Sequence, residues 1–201
     1  QAPPAGPSTM KSEPLPAAEL ARRMLRPSVL DEGLRSGLFI VRQLDAGHWH
    51  AFAWALAAEL RRLGAVVMFV DAESGDDGFG AIEQDLRTKM LAVRRQLMPI
   101  DPVTQSAQCE ETLSELIKLI VDLSCNDLVL IVDHVGRLRA QPGGHLLKAL
   151  KAARDAVNVP ADAKGSFLLV AVDRDPTAVS ELTRVADQAF LGATVIDLTI
   201  A

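Results

Sequence analysis

Five short apolar runs without polar alternation constrain this chain more than anything else in it: residues 37–41, 65–71, 127–133, 166–173 and 194–199. A strand with one wet face alternates apolar and polar residues, whereas a strand covered on both faces reads as unbroken Val, Ile, Leu and Phe. Between the runs lie helical patterns at 48–63 (closed by Gly64), 79–97, 110–124, 145–158 and 177–187. Buried strands alternating with helices require right-handed crossovers, so the expected class is α/β: a three-layer domain with a parallel five-stranded sheet and helices on both faces. A chain of 201 residues, 49% of them hydrophobic, has enough apolar material for one such core.

The N-terminal stretch is different in kind. Residues 1–16 hold five prolines among Ala, Ser and Gly, a composition that buries little and predicts a flexible linker ahead of a core domain over 17–201. "AAELARRMLR", residues 17–26, has helical spacing and is stopped by Pro27. The chain begins with Gln and stops after an apolar run, so it reads as a piece of a larger protein.

A formal charge of -5 argues against general affinity for nucleic acid or an anionic membrane, both of which need clustered cations on one face. Arg61-Arg62 and Arg94-Arg95 read as solvated helix faces. Cys109 and Cys125 are too far apart to form a metal cluster on their own, and such sparse cysteine fits a reducing, cytoplasmic setting. No run approaches the ~18–20 apolar residues of a membrane span, and the start lacks the basic-then-apolar order of a signal peptide.

In a parallel α/β sheet, ligands sit beyond the carboxyl ends of the strands. The first strand here leads into "RQLDAGHWH", residues 42–50, and then a helix, which is the setting of a phosphate loop. That motif, G-x-x-x-x-G-K-[ST], uses glycines to bring backbone N–H groups onto the phosphates, lysine to neutralise charge and a hydroxyl to bind Mg²⁺. Aligned on it, Arg42 takes the first glycine position, Gly47 the second, His48 the lysine and Trp49 the hydroxyl. Only Gly47 fits; Asp45 adds a negative charge inside the loop, and His48 is mostly neutral at pH 7. The third strand, "NDLVLIVDHVGRL", ends in Asp133, placed to orient Mg²⁺ through water, followed by His134 where hydrolysing proteins often carry a glutamate base. The fourth, "GSFLLVAVDRDPTAV", ends in Asp173 and Arg174, the latter expected to pair with a neighbouring Asp.

This order of segments resembles the ATPase core of the AAA+ and related P-loop proteins, and in particular bacterial and archaeal AAA-type ATPases. The likeness is carried by "RPSVLDEGLRSGLF", "ELRRLGAVVMFVD" and "ALKAARDAVNVP", and runs over about 26–198. It implies a sheet in the order 5-1-4-3-2 and descent from an ATP hydrolase of a kind that often assembles or remodels partners. The family's phosphate-loop Gly, Lys and Ser/Thr fall on Gly47, His48 and Trp49, its metal-orienting acid on Asp133 and its catalytic glutamate on His134; only Gly47 and Asp133 match. The chain stops where family members begin their small helical lid, so that lid is expected to be absent.

Departures at three linked positions, with the strands around them intact, lead to the expectation of a pseudo-ATPase: fold retained, catalysis lost, no cofactor, and function as a protein-protein interaction or assembly module, through a partner or by self-association. His48, Trp49 and His50 would then fill the old pocket. Three alternatives remain open: weak binding of ATP or ADP with Mg²⁺ at the Gly47 turn, residual hydrolysis using His134 and Arg174, or a Zn²⁺ or Fe²⁺ site built from His48, His50, Asp133 and His134. Against the last, residues two apart on a helix diverge by about 200°. Met90, Val93, Leu97 and Met98 form a stripe that is either ordinary core or a docking surface.

Overall fold

The computed structural model describes residues 9–10, 16–30, 36–43, 49–73, 79–98, 111–139, 143–160, 162–184 and 189–198. In chain order the elements are β1 (Thr9–Met10), α1 (Ala17–Leu25), β2 (Leu38–Gln43), α2 (Trp49–Arg62), β3 (Val66–Asp71), α3 (Phe79–Leu97), α4 (Leu113–Ser124), β4 (Leu128–Asp133), a 3₁₀ turn (Val135–Leu138), α5 (Gly143–Asn158), β5 (Phe167–Asp173), α6 (Pro176–Arg184) and β6 (Thr194–Leu198).

Every ladder is parallel and the sheet runs β1-β6-β2-β5-β4-β3. Counting only the five long strands, that is the order 5-1-4-3-2. The sixth member is a two-residue strand from within the proline-rich stretch: Thr9 and Met10 pair with Val195 and Ile196 on β6. Proline lacks the N–H that a ladder needs, whereas these two residues retain theirs, so this is a stretch of the leader that can join a sheet edge.

The sheet divides the core by residue parity. Leu128, Leu130 and Val132 of β4, with Leu169 and Ala171 of β5, face one side, where they meet Leu86 and Met90 of α3, Leu116 and Ile120 of α4, Leu147 and Leu150 of α5 and Leu182 of α6. Val129, Ile131, Leu168 and Val170 face the other, against Leu20 and Met24 of α1 and Leu56 and Leu60 of α2. This is why the runs carry no polar alternation: both faces of β4 and β5 are fully buried.

β3 is the exception, a half-buried edge strand paired only with β4 among the described residues. Its outward carbonyls are covered by cations: Lys89 Nζ donates to Phe69 O at 3.0 Å and an Arg61 guanidinium nitrogen to Val67 O at 3.4 Å. Covering an edge with long basic side chains discourages a foreign strand from adding to it. Arg94, by contrast, is buried and bonded to Glu111 rather than solvated as its sequence neighbourhood implied.

Helix ends follow local chemistry. α4 opens on a capping box in which Thr112 Oγ1 accepts from Glu115 N–H and Thr112 N–H donates back to the Glu115 carboxylate. At its other end Cys125, a free and exposed thiol, takes a left-handed conformation. No helix among the described residues is long and apolar enough to cross a membrane.

Candidate functional site

The carboxyl edge of the sheet collects the ends of β2, β3, β4 and β5. Gly47 and His48 lie outside the described residues. Trp49 and His50 form the first turn of α2, with only their backbone described.

Arg42 sits otherwise than the loop alignment placed it. β2 extends to Gln43 because it is paired on both sides, so Arg42 is a strand residue in register with Asp173 on β5 and Asp197 on β6. Its Nε and Nη2 each lie 2.7 Å from an Asp197 carboxylate oxygen, a bidentate pair. Hydrogen bonding to Asp197 outweighs a smaller desolvation and raises the Arg42 pKa, so the guanidinium is held charged. Asp197 was not singled out from sequence, although a lone carboxylate within the apolar "TVIDLTI" demands a cation on a neighbouring strand.

At the end of β4, Asp133 is almost fully buried and accepts from His134 N–H at 2.8 Å. His134 adopts φ 51°, a left-handed conformation uncommon for a residue with a Cβ. Its ring meets the end of the edge strand: Nδ1 is 2.8 Å from Asp71 Oδ1 and 3.8 Å from Asp133 Oδ1, and Nε2 is 3.1 Å from Glu73 Oε2. Glu73 also pairs with Arg137 at 3.3 Å. Partial burial opposes charging the imidazole, but the Asp71 hydrogen bond and the charges of Asp133, Asp71 and Glu73 together win, and the His134 pKa is raised. The sequence reading named Asp133 and His134 as site residues and gave Asp71 and Glu73 no role; the signal for one was the aspartate that closes "VVMFVD", in register with the one that closes "LVLIVD".

At the end of β5, Asp173 Oδ2 accepts from Gly136 N–H at 2.6 Å and Oδ1 from Asp175 N–H at 2.9 Å. Asp175 in turn caps α6 by accepting from Thr177 N–H at 2.9 Å, one residue ahead of Pro176 at the first helical position. Arg174 is exposed, and among the described residues the expected pair with a neighbouring aspartate is not formed. Arg139 takes that role instead, 3.9 Å from Asp175 and 3.3 Å from Glu181. A cavity of about 100 Å³ opens beside this edge, lined by Arg42, Ser180, Thr183 and Arg184. A larger one, about 280 Å³ and lined by Lys118, Asp122 and Lys164, lies where α4 and α5 end, away from the strand carboxyl ends.

Parallel order, crossovers and the Asp-terminated third strand together define a P-loop ATPase-like fold. No protein-family model and no curated protein matches the chain. Among solved structures it is similar to the ORC2 protein of Aeropyrum pernix in its ADP form, at 16% identity and a TM-score of 0.57, over 90% of this chain and 47% of that one. The same protein in its ADPNP-ADP complexes gives 16% identity and TM-score 0.57, over 97% and 49%. The Walker-type ATPase PABY2304 of Pyrococcus abyssi gives 13% and 0.57, over 92% and 53%. The chain thus spans about half the length of the structures it resembles, and at these identities the likeness is one of fold.

Proposed function

We propose that this chain is a P-loop ATPase-like domain that does not hydrolyse nucleotide and serves as a protein-binding, assembly or regulatory module. The observation that carries the reading is the placement of His134. A general base must reach the proton it removes. His134 instead points its two ring nitrogens at Asp71 and Glu73, on the β3 side of β4. The acids of the neighbouring strands are bound as well, Asp173 by two backbone N–H groups and Asp197 by Arg42. Such a set of internal contacts supports a structural carboxyl edge, and a fold without turnover acts by what it binds.

The test is titration with Mg-ATP, Mg-ADP and Mg-GTP, followed by thermal melting and by phosphate release, with sedimentation equilibrium on the same protein. A ligand at a hundred times its Kd would add about 2.7 kcal/mol, a rise of several degrees for a domain of this size. The proposal expects no rise and no release above a protein-free blank. Phosphate release abolished by Asp133→Asn would overturn it. The alternative, nucleotide binding without turnover, draws on the ADP and ADPNP-ADP states in which the similar ORC2 structures were solved; a rise in melting temperature without release would favour it.

A further inference from the structure

We propose that Asp71, Asp133 and His134 form a binding site for one divalent transition-metal ion, of which Zn²⁺ is the best match, with Glu73 positioning the imidazole. Asp71 closes β3, Asp133 closes β4 and His134 follows it, so the site shares Asp133 and His134 with the nucleotide reading and is tested on nucleotide-free protein.

The ligand set is prepared by the sheet. Asp71 and Asp133 are register partners on adjacent parallel strands, so their side chains project from the same face of the sheet, side by side. His134 follows at once, and its left-handed backbone turns the ring to meet both. One ligand atom from each of the three residues lies within 4.8 Å of the other two. Around Zn²⁺, with Zn–N and Zn–O bonds of about 2.0–2.2 Å, ligand atoms stand roughly 3–3.5 Å apart. The Nδ1 separations of 2.8 Å and 3.8 Å bracket that spacing. An imidazole nitrogen with two carboxylates suits Zn²⁺ better than the all-oxygen preference of Mg²⁺ or Ca²⁺.

One further observation points the same way. Glu73 Oε2 lies 3.1 Å from Nε2, where a carboxylate holds the distal N–H of a metal-bound histidine and leaves Nδ1 free to coordinate.

The experiment titrates chelator-stripped, nucleotide-free protein with Zn²⁺ by calorimetry, and with Co²⁺ by its visible absorption. One ion per chain is expected, with affinity rising as pH rises because the metal displaces a proton from His134. Glu73→Gln, at a half-exposed position that folding tolerates, should weaken binding about 10- to 100-fold. His134→Gln and Asp71→Asn should each weaken it further. His145→Gln, at an exposed position on α5, should change nothing. Absence of binding, or affinity that is unaltered by Glu73→Gln and His134→Gln, would overturn the proposal; loss of binding in a His48→Gln/His50→Gln variant would place the ion at the start of α2 instead and overturn it equally.

Discussion

Arg42 on β2 and Asp197 on β6 face one another across adjacent strands, joined by two hydrogen bonds of 2.7 Å. Both side chains are mostly shielded from solvent, so the pair is stronger than a surface ion pair but each partner depends on the other. Arg42→Met and Asp197→Asn should each lower stability by about 1–2 kcal/mol. The double variant should lose less than the sum, and chemical denaturation in a double-mutant cycle measures the coupling.

Gly136 stands where a side chain has no room. A Cβ there would lie 2.7 Å from both Ala178 Cβ and Asp173 Oδ2, and the Gly136 N–H is what Asp173 accepts. Gly136→Ala should therefore cost about 1–3 kcal/mol through displaced backbone. Gly80→Ala, which meets nothing within 4 Å, serves as the control and should stabilise the exposed first turn of α3 or leave it unchanged in the same unfolding assay.

The capping box of α4 gives a pH signature. The backbone hydrogen bond from Thr112, and then its hydroxyl, hold the Glu115 carboxyl below its usual 4.5. A depressed acid stabilises the fold above its unfolded pKa, and that contribution is lost as pH falls through the folded value. The stability gap between wild type and Glu115→Gln should thus be present at neutral pH and close on acidification. Thr112→Ala, which removes the cap acceptor, should lose about 1 kcal/mol at neutral pH.

The Met/Leu stripe of α3 splits in two. Met90 is fully buried and Val93 packs on the same cluster, whereas Leu97 and Met98 at the helix end are exposed. Met90→Ala should cost about 2–5 kcal/mol, and Met98→Ala should stay within about 0.5 kcal/mol of wild type. Urea midpoints with unchanged slopes would establish both.

The sheet was legible because burial on two faces leaves a mark that one-dimensional reading detects: β4 and β5 are unbroken apolar runs bounded by polar residues. The strand order came from the family resemblance rather than from the runs themselves. What escaped was pairing across the sheet. Arg42 read as the first residue of a loop because its partner is 155 positions away, and Arg174 read as the aspartate's partner because it is adjacent, whereas Arg139 reaches across from the 3₁₀ turn. His134 was recognised as out of place for a hydrolase, but the carboxylates that hold it come from β3, a neighbour only once the ladder has formed.

Lys89 and Arg61, laid over the outer carbonyls of β3, leave an incoming strand two fewer acceptors along that border. Sheet extension there would first have to dislodge an ammonium and a guanidinium group from their oxygens, so this rim of the sheet is closed by side chains rather than by a further strand.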